Sequence, residues 1–227
     1  IISSVFLLAI NLVHFYLVRK VRMNGKKQAS LFLTTTYPNT AFLGIPILTF
    51  FFQETGALLA AIFTIITAIF HFSFGVYFSN MYLKKSRSAL AEVIKFPLLW
   101  GTVIALILSF FVQSAPEWTF QFSKSAIYLA PFVVGLAFKI GRIERSYIYG
   151  FALKFLVMPA LLFAFLLLFE LPAPQEIALL LLSALPPALT STILAIRYRL
   201  DEKYAASITS YFTLIFLIIV FIISLIY

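Results

Sequence analysis

The 227-residue chain contains no cysteine and only two histidines. Without thiols there is no disulfide scaffold, no thiol nucleophile, no zinc finger and no thiolate-held cluster. Charge is scarce too: 11% of residues are charged, against about 25% in an ordinary soluble domain. The patterns HExxH, GxSxG, GxGxxG and GxxxxGK[ST] are all absent. That removes the usual sequence grounds for metal-assisted, serine-nucleophile and nucleotide chemistry. No enzyme, no cofactor and no metal site is expected.

What fills the chain instead is apolar bulk. Hydrophobic residues make up 63%, Phe alone accounts for 27 positions, and the mean hydropathy is +1.05. Folded in water, such a chain would expose a large apolar surface. Its apolar stretches repeatedly reach the roughly 20 residues that a helix rising about 1.5 Å per residue needs to cross about 30 Å of hydrocarbon. The fold class expected is therefore an all-α polytopic membrane protein, with the lipid bilayer as its solvent.

Charged clusters divide the chain into about eight spans. They run from Ile1 to Val18, Gln28 to Phe52, Ala57 to Leu83, Phe96 to Gln113, Trp118 to Phe138, Tyr147 to Phe169, Glu176 to Ile196 and Tyr204 to Tyr227. Alternate connections carry almost all the positive charge. Arg19, Lys20, Arg22, Lys26 and Lys27 are followed by Lys84, Lys85, Arg87 and Lys95, then Lys139, Arg142 and Arg145, then Arg197, Arg199 and Lys203. Together these hold 15 of the 17 Lys and Arg residues. The opposite connections carry Glu54, Glu117, Glu170 and Glu176, with Lys124 the one basic candidate there. By the positive-inside rule the basic set is cytoplasmic, and both ends of the chain lie outside a plasma (inner) membrane. The formal charge of +9 thus records topology, and no nucleic-acid partner is expected. The opening stretch has no basic n-region and no small-residue cleavage pattern, so it is not a signal peptide. Residues upstream of Ile1 are expected.

Two spans carry helix breakers at their middles. The second reads Thr-Thr-Thr-Tyr-Pro-Asn-Thr-Ala-Phe-Leu-Gly-Ile-Pro from Thr34 to Pro46, and the seventh reads Ser-Ala-Leu-Pro-Pro-Ala-Leu-Thr-Ser-Thr from Ser183 to Thr192. Proline removes an N–H and clashes with the preceding turn, so each helix should open. In hydrocarbon the freed carbonyls are tolerated only against protein or a water-filled cavity. Pro38 lies in the middle span of the first three, Pro186 in the middle span of the last three, and the two triplets enter the membrane from opposite sides. That is the pattern of an inverted repeat. Residues 1–83 read as the last three helices of a first unit, broken at 37–46, and residues 96–227 as a complete five-helix second unit, broken at 185–192. Interrupted segments at corresponding places in two halves point to a transporter's midplane binding site.

Each restarting helix presents unpaired N–H groups and the positive end of its macrodipole, which suits an anion without any buried Lys or Arg. Asn39 and Thr40 stand at the first restart; Thr190, Ser191 and Thr192 follow the second. They are placed either to cap the helices or to hydrogen-bond a carboxylate.

The run Tyr37 to Leu48, Tyr-Pro-Asn-Thr-Ala-Phe-Leu-Gly-Ile-Pro-Ile-Leu, resembles the Pro-Asn-Thr-x-x-x-Gly-Ile-Pro signature of the auxin efflux carrier family, which includes plant PIN carriers and bacterial malate or malonate permeases. Phe96 to Gly101 resembles the opening of the family's sixth helix, and Ala184-Leu185-Pro186 with Tyr198 to Ala206 resembles its ninth-to-tenth helix region. The resemblance implies ten helices in two inverted five-helix repeats, with two crossed broken helices at the site, as in bile-acid symporters and sodium-proton antiporters. The first two helices would be missing from this chain. It further implies an elevator-like mobile crossover domain, a homodimer, and a small organic anion as substrate. By the same likeness Asn39 approaches the substrate carboxylate, while Pro38 and Pro186 shape the crossing. Where plant members carry a second Pro five residues after the first, this chain has Ser191, and Pro187 follows Pro186 directly.

The function expected is a secondary transporter of small organic anions working by alternating access. The alternatives are a sodium-coupled organic-anion symporter of the bile-acid carrier type and a non-transporting membrane receptor or scaffold. Secondary site candidates are Asn11 and His14, which share one face of the first helix, and Lys154. His14 is expected to reach the cytoplasmic interface and Lys154 to snorkel to it. His71 is expected to pack within a hydrogen-bonded environment. Gly101, Gly135 and Gly150 are expected to permit close helix contacts.

Overall fold

The computed structural model describes residues 2–83, 97–112 and 116–226, and every regular element among them is helical. The elements are α1 (Ile2–Lys20), α2 (Gly25–Thr36), α3 (Ile45–Phe70), α4 (Val76–Tyr82), α5 (Pro97–Ser109), α6 (Glu117–Leu136), α7 (Ser146–Phe151), α8 (Met158–Leu166), α9 (Ala173–Ala184), α10 (Leu189–Arg197) and α11 (Glu202–Ile226). Three π-helical turns, Thr40–Gly44, His71–Gly75 and Ala152–Val157, lead into α3, α4 and α8. Among the described residues, four continuous helical stretches are long and apolar enough to cross a membrane: Ile2–Lys20, Thr40–Tyr82, Ser146–Leu166 and Glu202–Ile222. The chain is an all-α integral membrane protein. The basic cluster Lys84, Lys85, Arg87 and Lys95, and the start of the Phe96 to Gly101 segment, lie outside the described residues.

Thr40–Tyr82 is two helices in practice. At Gln53 the backbone leaves the helical region (φ 52, ψ −135), between the second and third predicted spans. The reversal is tight enough that a Cβ on Gly56 would lie 2.2 Å from the Leu48 carbonyl oxygen, so only glycine fits.

α2 starts at a side-chain cap, Asn24 accepting from the Lys27 amide at 2.9 Å, and stops at Thr36. The cause is Pro38, which forbids a helical conformation to the residue before it; Tyr37 is extended (φ −109, ψ 115). α9 ends in the same way. Leu185 precedes Pro186 and is extended in ψ (φ −59, ψ 149), as is Ala188 (φ −63, ψ 136), after which α10 begins.

The two extended segments pair with each other. The Asn39 amide donates to the Pro186 carbonyl at 2.8 Å, the Ala188 amide donates to the Tyr37 carbonyl at 2.9 Å, and Pro38 faces Pro187 in an isolated antiparallel bridge. In such a pair the residues between the two bonds need no N–H. Proline therefore sits at both positions without losing a ladder bond.

The pairing lies at the seam of two apolar clusters. One gathers Phe32, Tyr37, Phe72, Tyr204 and Phe212; the other gathers Phe6, Leu48, Phe63, Met158 and Leu185. Gly150 allows α7 to approach α11 and α2, since a Cβ there would fall 2.8 Å from Ile208 and 3.0 Å from Leu31. Gly101 and Gly135 do not play the expected part. Among the described residues, a Cβ on either would meet nothing within 4 Å.

Connections carrying basic residues meet on one face. Lys27 forms a 2.7 Å salt bridge with Glu144, and Ser30 donates to the Asp201 carbonyl at 3.0 Å. The α1–α2, α6–α7 and α10–α11 connections are thus neighbours.

Candidate functional site

A cavity of about 230 Å³ opens beside the paired breaks, lined by Pro38, Asn39, Thr40 and Phe42 from the first break and by Ala188, Leu189 and Thr190 from the second. Its remaining wall is one face of α3 running into the His71 turn: Thr64, Thr67, Ala68 and His71. Thr64, Thr67 and His71 follow one another at helical spacing, which stacks them on one side.

The polar groups here are poorly satisfied. Asn39 uses its Oδ1 to cap the restarting helix, accepting from the Phe42 amide at 3.3 Å, while its Nδ2 is buried without a partner. The hydroxyls of Thr64 and Thr67 are likewise buried and unpartnered. An unmade hydrogen bond on a buried polar group costs about 1–3 kcal/mol, and three such groups belong to residues that line this one cavity. Among the described residues, no Lys or Arg lines it.

His71 links the cavity to its support. Its ring lies flat on Tyr37, centroids 4.0 Å apart at 14°. Nδ1 is 3.3 Å from the Thr190 hydroxyl and Nε2 is 3.2 Å from the Ser191 hydroxyl. Ser191 in turn donates to the Leu33 carbonyl at 2.9 Å, in the last turn but one of α2. Tyr37 gives its O–H to Asn11 Oδ1 and lies 3.2 Å from the Phe70 carbonyl oxygen. Gly75 makes this stack possible: a Cβ there would lie 2.8 Å from the Tyr37 ring.

The structure therefore brings Pro38, Asn39, Thr40 and Thr190 to the cavity wall. Pro186 and Pro187 build the backbone pairing behind it without lining it. Ser191 is fully buried and reaches the site only through His71. Asn11 is buried behind Tyr37. His71, expected as a packing residue, is hydrogen-bonded as anticipated but also faces the cavity. Thr64 and Thr67 escaped notice. Their spacing from His71 was the available signal, hidden in a helix that otherwise reads as apolar bulk.

Two expectations are overturned. His14 does not reach the interface; it belongs to the buried stripe Phe6, Ile10, Asn11, His14 and Val18 of α1, with Nδ1 3.2 Å from Thr36 Oγ1. Lys154 does not snorkel. It sits in the π-helical turn Ala152–Val157, where i→i+5 bonding adds a residue to the turn and shifts the side-chain register. It is fully buried, Nζ lying 3.2 Å from Met158 Sδ and 3.4 Å from the Ser183 carbonyl oxygen. Both residues hold the last turn of a broken helix, α2 and α9 respectively, outside the cavity.

A family model described as membrane transport protein matches residues 1–225. The chain belongs to this family. It is the family of auxin efflux carriers to which the Pro-Asn-Thr and Gly-Ile-Pro run pointed. The chain is also 28% identical over 209 residues to an uncharacterized transporter of Methanocaldococcus jannaschii, covering 86% of this chain and 68% of that protein. Family and relative point to a transporter rather than an enzyme.

Proposed function

We propose that this transporter is a secondary carrier of small organic anions, a dicarboxylate such as malate or malonate or an auxin-like monocarboxylate, working by alternating access. The observation that carries this reading is that Asn39, Thr64 and Thr67, each with a buried polar atom that has no partner, line one cavity beside two helix restarts. An amide nitrogen only donates and hydroxyls donate readily, so an acceptor-rich carboxylate suits them. The positive ends of the two restarted helices favour the same charge.

The architecture that accompanies this reading is a pair of inverted repeats. Residues 1–83 supply the end of the first and 96–227 the whole of the second. The paired breaks lie in a mobile crossover domain, and the remaining helices form a dimerising scaffold in the plasma membrane, with the basic connections cytoplasmic. In liposomes containing the full-length protein, labelled malonate, malate or indole-acetate should accumulate saturably, and should do so equally when sodium is replaced by choline. No flux of any carboxylate through natively folded protein would overturn the proposal. Dependence on sodium would replace it with a sodium symporter.

A further inference from the structure

The hydrogen bonds of His71 fix its proton. Ser191 has one hydroxyl hydrogen, and it is committed to the Leu33 carbonyl, so the Ser191 oxygen can only accept from the ring. Nε2 therefore carries the hydrogen. In the neutral ring Nδ1 is then a bare lone pair, and its contact with Thr190 is Thr190 donating into the ring. The consequence falls on the cavity: Thr190 lines it but has already spent its only donor, and offers an oxygen lone pair where an anion needs a hydrogen.

Adding a proton at Nδ1 reverses this bond. The ring then donates to the Thr190 oxygen through Nδ1–H, and the Thr190 O–H is free to turn into the cavity. Ser191 and Leu33 keep their bonds unchanged. The surroundings allow little other compensation for the new charge. Among the described residues, the titratable group facing the ring is Tyr37, stacked flat upon it; from α10 come the hydroxyls of Thr190 and Ser191. The cavity wall beside it on α3 ends in Thr67, whose hydroxyl has no partner. A buried cation in this setting is stabilised chiefly by an anion placed next to it. Proton and anion thus each create the site for the other, and by linkage each tightens the other's binding.

We infer that His71 is a proton-binding residue of the carrier, and that the organic anion is taken up together with a proton delivered to Nδ1 of His71, Thr190 turning from a donor to the ring into a donor to the carboxylate. This rests on the organic-anion reading above and adds a co-substrate to it.

The test is calorimetric titration of the purified full-length protein in detergent with malonate. It is run at a pH where malonate is a dianion, in buffers of different ionisation enthalpy. The heat should vary with the buffer, corresponding to about one proton taken up per malonate bound. His71→Gln keeps an amide donor toward Ser191 and a carbonyl acceptor toward Thr190, but has no site for a proton. It should bind malonate several-fold more weakly, with buffer-independent heat and an affinity that no longer rises as pH falls. Binding to the unmodified protein without proton uptake would overturn the inference while leaving the anion reading intact. Proton uptake that persists in His71→Gln would overturn it as well. Failure of malonate, malate and indole-acetate all to bind would overturn the anion reading itself, and this inference with it.

Discussion

Tyr37 lies flat against His71, ring centroids 4.0 Å apart and planes 14° from parallel, while its hydroxyl donates to Asn11 on another helix. One side chain thus positions the histidine that faces the cavity and ties the first break to α1. Tyr37→Phe keeps the ring and removes the tie. Because Asn11 Oδ1 is buried, the change should destabilise the protein by about 1–3 kcal/mol, read as a lower melting temperature in detergent. An unshifted melting temperature would show that Asn11 finds another donor.

Asn39 has two separable duties. Its Oδ1 caps the Phe42 amide, and its Nδ2, buried without a partner, belongs to a residue that lines the cavity. Asn39→Ala loses both and should weaken malonate binding by about 1.5–3 kcal/mol, the scale of a hydrogen bond to a charged group. Asn39→Asp keeps the cap but sets a negative charge against the ligand. Thermal stability near that of the unmodified protein, with malonate binding abolished, is the expected split; full binding in Asn39→Asp would remove this residue from the site.

Thr67 is a test of an orphaned hydroxyl. Its hydroxyl has no hydrogen-bond partner, so Thr67→Val, nearly equal in shape, should leave stability unchanged or slightly raised. Malonate affinity should fall by about 1–3 kcal/mol if the hydroxyl meets a carboxylate. Calorimetry and a melting curve on the same sample separate the two effects, and an unchanged affinity would exclude Thr67 from ligand contact.

Gly75 and Gly101 make a matched pair. A Cβ at Gly75 would press 2.8 Å from the Tyr37 ring and 3.2 Å from His71 Cδ2, whereas at Gly101 it would meet nothing within 4 Å. Gly75→Ala should cost about 1–3 kcal/mol through overpacking and weaken binding by displacing His71. Gly101→Ala should be neutral or gain roughly 0.5–1 kcal/mol from helix propensity. Equal melting temperatures for the two variants would contradict the close packing at Gly75.

The legible parts of this molecule were those set by local chemistry. Pro38 and Pro186 announce breaks because a missing N–H and a restricted preceding residue act within a few positions. The carbonyl that each break would find lay at the other end of the chain, and no local rule names it. His14 and Lys154 were misread because depth alone sends a long or polar side chain toward the nearest water. The buried stripe of α1 and the π-helical turn at Ala152–Val157 turn them inward instead. The His14 stripe was available in the spacing of Phe6, Ile10 and Asn11; the π-helical turn was not. Gly101 and Gly135 show the converse. A small residue permits a close contact, but only a neighbouring helix supplies one.

The backbone exchange between Asn39 and Pro186, and between Ala188 and Tyr37, has a consequence for how the protein is made. Neither break can satisfy its own main chain. When the ribosome has delivered α2 and α3 to the bilayer, the Asn39 amide and Tyr37 carbonyl still await partners that have not been synthesised. Until α9 and α10 are made, those two groups lack the partners they have in the folded chain. Insertion of the final helices is therefore the step that seals the first ones. A chain stopped short of Ala188 would leave a polar flaw inside the membrane, of the kind by which quality control recognises an unfinished product.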